Sequence, residues 1–153
     1  MMKVIAIGNR IMGDDGVALY VLEEIKNEIK KLNSEIEVII GETDFVYCLN
    51  KINDHDFVII VDSTYLGFKI GKVTLFSFEE AKRYLNHTAS QHEISLIHII
   101  TNYKIHIRGY LIGIEACNID FSLNLSDHLQ IIFKDICSEV LNKIKIKMGE
   151  FNA

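Results

Sequence analysis

Two hydrophobic patterns alternate along this chain. Short, nearly continuous apolar runs end at glycine or at acidic residues, and between them apolar residues recur every three or four positions. Continuous runs predict buried strands, and the three-to-four spacing predicts amphipathic helices. The runs predict five strands, at 3–7, 35–40, 57–61, 72–77 and within 104–116. The spacing predicts helices from Gly16, after Thr43, over 79–85, behind a capping box at Ser90–Glu93, and from Ser126.

The predicted order is β-α-β-α-β-β-α-α-β-α, and such alternation is typical of α/β proteins. We therefore expect a three-layer sandwich in which a mostly parallel five-stranded sheet is flanked by helices. The run over 57–61 is apolar throughout, which predicts the centre of the sheet. No linker or internal repeat divides the 153 residues, so one domain over 1–153 is expected, with Gly149–Ala153 frayed at the end.

The loop after the first strand, Gly8–Gly16, carries two adjacent carboxylates. Gly8 and Gly13 match the glycine spacing of a phosphate-binding loop, but Asp14 and Asp15 occupy its Lys and Ser/Thr positions. Carboxylates there repel phosphate, so the loop favours a metal ion or a proton. The competing interpretation is that one aspartate caps the following helix.

Two further polar residues fall near the same predicted edge of the sheet. Asp62 follows the central strand, and His92 lies at a predicted loop–helix junction. If the first and third strands are neighbours, Asp15 and Asp62 converge, because ligands bind where parallel strands end. Two carboxylates and an imidazole suit a divalent nickel, zinc or iron ion. Taken singly, Asp62 also fits a turn former and His92 a surface or capping residue.

Other residues leave alternatives open. Arg10 is predicted to pair with Asp14 or to bind a substrate carboxylate. Asp44 fits the first turn of a helix and, as an alternative, a proton-transfer role. His87 is a fallback for His92, and Cys117 follows a strand near the expected site.

The composition narrows the classes of binding partner that we expect for this chain. Sixteen basic residues against 21 acidic ones give a formal charge of −5, which argues against nucleic acid and anionic membranes. No apolar run is long enough to span a bilayer, and the N-terminal residues do not fit a signal peptide. The three cysteines are far apart, which predicts reduced thiols in the cytoplasm, with Cys48 and Cys137 as core residues.

Four segments, in this order, resemble the hydrogenase maturation endopeptidases, which remove the C-terminal extension of the [NiFe] hydrogenase large subunit. They are Ile5–Gly16, Val58–Ser63, Ser90–Leu96, and Leu111–Glu115 with Leu123–Ser126. The resemblance implies an α/β sandwich around a twisted five-stranded sheet. It also implies that Asp15, Asp62 and His92 bind nickel that is already loaded in the precursor.

This chain departs from the family pattern at four places. Asp15 stands where many relatives carry glutamate, and Gln91 stands where proline or asparagine often precedes the histidine. Glu42 replaces a common glycine, and Ala116-Cys117 replaces the usual Pro-Glu. The last two changes are expected to affect substrate identity more than fold.

The leading hypothesis is a cytoplasmic, nickel-dependent endopeptidase that processes a [NiFe] hydrogenase large-subunit precursor. Asp15 and Asp62 are its candidate catalytic residues, and Asp15, Asp62 and His92 its candidate nickel ligands. No Ser-His or Cys-His nucleophile set is evident, which argues against an acyl-enzyme. The alternatives are a non-catalytic nickel-recognition or chaperone module, a related α/β protease of the spore-germination type, and a nucleotide-binding domain.

Overall fold

The computed structural model describes residues 1–88, 96–103 and 106–153. The elements follow one another in the predicted order. The strands are β1 Met2–Ile7, β2 Glu37–Glu42, β3 Phe57–Thr64, β4 Val73–Ser77 and β5 Arg108–Glu115. The helices are α1 Val17–Leu32, α2 Phe45–Lys51, α3 Phe78–Thr88, α4 Leu96–Tyr103 and α5 Asp127–Asn152.

The five strands form one sheet in the order β2-β1-β3-β5-β4. All neighbouring pairs are parallel except β4 and β5. From β1 the chain moves outward to β2 and then crosses to β3 on the other side of β1. The carboxyl ends of β1 and β3 therefore form the topological switch point, where open α/β sheets bind ligands.

Helices cover both faces of the sheet, which confirms the predicted three-layer sandwich. Helices α1 and α5 share a core with one face, and α2, α3 and α4 share a second core with the other. Residues 4–7 of β1 show why this part of the strand is continuously apolar. Val4 and Ala6 enter the first core, whereas Ile5 and Ile7 enter the second.

Two strands extend past their predicted ends. Strand β2 runs to Glu42, so Gly41 lies inside the strand and does not close it. Strand β3 runs to Thr64, so the prediction that Asp62 ends the strand is wrong. Pairing with β5 continues through Asp62, Ser63 and Thr64 because their backbone groups complete the ladder.

The ends of two helices also differ from the predictions. Helix α2 is capped by Asp44, whose side chain accepts from the Tyr47 N–H at 2.8 Å, and not by Thr43. Helix α5 is capped by Ser126 as predicted. It continues to Asn152, so the expected fraying from Gly149 is wrong; the Phe151 ring packs against Phe57 at 5.7 Å.

The predicted capping box at Ser90–Glu93 lies outside the described residues, as does the rest of the segment between α3 and α4. Strand β5 begins at Arg108, so Ile107, which the prediction placed in the strand, lies before it. No helix in the described part of the chain is both long enough and apolar enough to cross a membrane.

Candidate active site

The loop after β1 makes a tight 3-10 turn over Gly13–Gly16 before α1 begins. A Cβ at Gly8 would lie 2.3 Å from the Asp15 carbonyl oxygen, so only glycine fits there. Gly13 has φ +57°, a left-handed conformation that also favours glycine. The two glycines therefore shape the turn as predicted.

Neither aspartate of this loop caps α1. The N-cap is Gly16, with no side-chain hydrogen bond. The capping interpretation is therefore wrong for Asp14 and for Asp15, because both carboxylates turn away from the first turn of α1 to partners elsewhere in the fold.

Asp14 anchors a distant loop to the site. Its carboxylate is fully buried. It accepts from the backbone N–H groups of Cys117, Asn118 and Ser126 at 3.0, 2.9 and 2.7 Å, and from the Ser126 Oγ at 2.8 Å. Ser126 is also the N-cap of α5. Asp14 thus ties the turn after β1 to the turn after β5, and its acceptor positions are occupied.

Asp15 faces the carboxyl edge of the sheet and is half-buried. Its Oδ1 accepts from Ser63 Oγ at 2.9 Å and from the Tyr65 hydroxyl at 2.7 Å. Its Oδ2 accepts from the Asn9 N–H at 3.0 Å.

Asp62 lies on β3, the neighbour of β1, and directly precedes Ser63. Its Oδ1 accepts from the Ser63 N–H at 2.8 Å, and the Ser63 hydroxyl donates to Asp15. A single residue thus links the two predicted carboxylates. His92 lies outside the described residues. Within residues 1–88, 96–103 and 106–153, no group of three His, Cys, Asp or Glu side chains is placed to hold a metal ion.

Tyr65 belongs to the site although sequence reasoning assigned it no role. Burial raises the pKa of its phenol, and the charges of Asp15 and Asp62 raise it further, against a lowering by Ser63. The hydroxyl therefore stays protonated and acts as a donor. The feature of the sequence that could have indicated Tyr65 is its position, three residues after the predicted site residue Asp62.

Glu115 is a second residue that sequence reasoning missed. Its carboxylate is buried at the end of β5. It accepts from Thr64 Oγ1 at 3.1 Å and from the N–H groups of Leu66 and Gly67 at 2.5 and 3.2 Å. These bonds fix the residues on both sides of Tyr65.

Comparison with known proteins places the chain in a family. The model described as "Hydrogenase maturation protease" matches residues 19–143. The chain belongs to the hydrogenase maturation protease family. This is the family that the motifs resemble, and its members form a class of proteases.

Individual relatives agree with this assignment. The hydrogenase maturating endopeptidase HybD from E. coli has a similar structure, with a TM-score of 0.79 and 15% identity over 95% of this chain and 93% of that one. A [NiFe] hydrogenase maturation protease HybD from Thermococcus kodakarensis gives 0.73 and 24% over 94% and 97%. At these identities the two structures show the fold.

A curated relative is similar in sequence. It is the hydrogenase expression/formation protein HupD from Thiocapsa roseopersicina, which is 22% identical over 76% of this chain. The match covers 55% of the relative, so the chain spans about half of its length.

Arg10 pairs differently from the prediction in this member of the family. Its Nε donates to Glu42 at 2.9 Å and its Nη1 to Glu23 at 3.2 Å, so pairing with Asp14 is wrong. The physical reason is that Asp14 is buried behind the turn. The hydrogen bonds that Arg10 donates to Glu23 and, with a smaller effect, to Glu42 raise the pKa of Arg10, against a lowering by burial. Glu42 itself has φ +51°, a left-handed conformation that favours glycine.

The cysteines follow the predictions where the structure bears on them. Cys48 and Cys137 are buried, and burial raises the pKa of each thiol to about 11. Cys117 is exposed, and its N–H contributes to the Asp14 anchor. Cys48 and Cys137 therefore serve as packing residues, whereas Cys117 contributes its backbone N–H to the hydrogen bonds of Asp14.

Proposed function

We propose that the chain is a nickel-dependent endopeptidase that removes the C-terminal extension of a [NiFe] hydrogenase large-subunit precursor. The observation that carries the proposal is the pair of carboxylates, Asp15 and Asp62, linked by Ser63 at the switch point of the sheet. The family assignment supplies the class of reaction.

The donor chemistry supports nickel recognition. Carboxylate oxygens and an imidazole suit a divalent first-row ion, and Asp15, Asp62 and His92 offer those groups. In this proposal the metal arrives with the precursor, so it is part of the substrate. Bound there, the nickel of the precursor acts as a Lewis acid towards the scissile carbonyl or a water molecule. Asp15 and Asp62 hold it and orient the peptide.

Further support concerns the compartment. Three free cysteines, two of them buried, fit a reducing environment. We therefore include cytoplasmic action in the proposal. The net charge of −5 fits a protein partner in preference to nucleic acid.

The test is to incubate the purified protein with nickel-loaded and nickel-free precursor and to weigh the products by mass spectrometry. We expect a shortened precursor only with nickel. Asp15→Asn, Asp62→Asn and His92→Ala should each abolish cleavage while far-UV circular dichroism stays unchanged. Asp54→Asn is a matched control, since Asp54 is exposed in the turn before β3, at the opposite edge of the sheet.

Each other outcome has a definite meaning. Equal cleavage of both precursors contradicts nickel dependence. Nickel-dependent binding without shortening assigns the chain to a recognition or chaperone role. Full activity of Asp15→Asn or His92→Ala removes that residue from the proposed machinery.

A further inference from the structure

The two oxygens of Asp15 are used unequally. Oδ1 accepts two side-chain hydroxyls, from Ser63 at 2.9 Å and Tyr65 at 2.7 Å, whereas Oδ2 accepts a single backbone N–H, from Asn9 at 3.0 Å. A carboxylate oxygen has about two acceptor positions. The two hydroxyls therefore fill Oδ1, and within the described part of the chain Oδ2 has the Asn9 N–H as its one donor.

The two hydroxyls also contact each other and are rigidly held. Ser63 Oγ lies 3.1 Å from the Tyr65 hydroxyl, so the three oxygens form a triangle. Ser63 is buried in β3 and paired with Ile114 of β5. Tyr65 follows Thr64, and Glu115 fixes the backbone after it through Leu66. The donors are thus attached to the sheet, independently of the loop that carries Asp15.

We propose that Ser63 and Tyr65 are positioning residues that hold Asp15 in one rotamer, with Oδ2 directed at the substrate. The inference rests on the proposed role of Asp15 in cleavage. A geometry held in advance matters because small displacements of a reacting group lower the rate strongly. Neither hydroxyl is required to touch the substrate.

The alternative is that these bonds merely satisfy partly buried hydroxyls, which would affect stability and not the rate. The variants Tyr65→Phe, Ser63→Ala and the double variant remove the donors with little change in packing. Tyr110→Phe is the matched control, because the Tyr110 hydroxyl donates to the Glu150 carboxylate at 2.8 Å, a pairing between β5 and α5. It removes the same atom from the same kind of bond elsewhere.

Two measurements are made on the full chain. One is kcat/KM for nickel-loaded precursor, corrected for the folded fraction. The other is the set of three-bond NMR couplings across χ1 of Asp15 in the protein alone. We expect each single variant to lose about tenfold in kcat/KM, as for one hydrogen bond to a charged group. The double variant should lose more, with Asp15 couplings averaged over rotamers, while Tyr110→Phe matches the wild type in both.

Two results overturn the inference. Asp15 couplings in the double variant that still report one rotamer show that the hydroxyls do not position it. Averaged couplings with unchanged kcat/KM show that the positioning has no consequence for cleavage. If the wild type cuts no precursor, the proposed function fails separately, and the couplings still decide whether Ser63 and Tyr65 hold Asp15.

Discussion

Replacing Asp14 with asparagine should weaken the hydrogen bonds that tie the turn after β1 to the turn after β5. The substitution leaves the Asp15 carboxylate itself unchanged. Asp14 is fully buried and accepts four hydrogen bonds. Asparagine offers one oxygen. If that oxygen takes the place of Oδ2 with its three donors, the new NH₂ group faces the Ser126 N–H that bonds Oδ1.

The magnitude follows from these contacts. One buried N–H without an acceptor costs about 1–3 kcal/mol. The three remaining bonds lose their charged acceptor, at about 0.5–1 kcal/mol each, since such bonds are roughly twice as strong as neutral ones. The sum is about 2.5–6 kcal/mol, a large share of the roughly 5–15 kcal/mol that stabilises a domain. Asp127→Asn is the control: Asp127 is exposed in the first turn of α5 and should cost about 0.3–1 kcal/mol.

Urea unfolding followed by far-UV circular dichroism measures the loss, because the chain has no tryptophan. Amide hydrogen exchange adds the location: the N–H groups of Cys117, Asn118 and Ser126 should lose protection in Asp14→Asn. Asp15→Asn should lose cleavage and much less stability. The reasoning is refuted if Asp14→Asn unfolds at the wild-type urea concentration, or if those three amides keep their protection.

Two further predictions concern stability away from Asp14. Burial would raise the pKa of Asp56, but the Asn53 N–H, Lys3 and the terminal amine outweigh it and hold the pKa low. Its contribution is therefore complete above the unfolded value of about 3.9 and is lost as the pH falls through the lower folded value. Asp56→Asn should cost about 1.5–3 kcal/mol at pH 7, because the buried Lys3 loses one charged partner and keeps Glu37 at 3.4 Å. It should also flatten the fall of the urea midpoint at acid pH; an equally steep fall contradicts the assignment. Glu42→Gly and Glu42→Ala both lose the ion pair with Arg10, but only glycine adopts φ +51° without strain. Glu42→Gly should therefore be about 1 kcal/mol more stable than Glu42→Ala in urea unfolding. Equal urea midpoints for the two variants would contradict strain at this position.

The architecture was predictable because the sheet is covered on both faces. Val4 and Ala6 enter one core and Ile5 and Ile7 the other, so the strand reads as a continuous apolar run. The strand ends were not predictable by the same rule. In β3 the polar residues from Asp62 to Thr64 continue the ladder, and Thr64 is buried because Glu115 accepts its hydroxyl. Hydrophobic periodicity does not detect a buried polar residue whose partner lies 51 positions away.

The hydrogen-bond partners of the two adjacent aspartates could not be predicted from the sequence for a related reason. In a 3-10 turn successive side chains point about 120° apart, so Asp14 and Asp15 necessarily face different surroundings. Sequence alone does not say which of them faces inward, since the donors to Asp14 lie 103 to 112 residues further on. Asp14 is buried among those donors, whereas Asp15 is half-buried at the carboxyl edge of the sheet, where its donors in the described part of the chain are Ser63, Tyr65 and Asn9. One 3-10 turn thus places both the buried Asp14 and the candidate ligand Asp15. A variant that rotated the turn would exchange the surroundings of the two carboxylates, and both the Asp14 hydrogen bonds and the position of Asp15 would be lost.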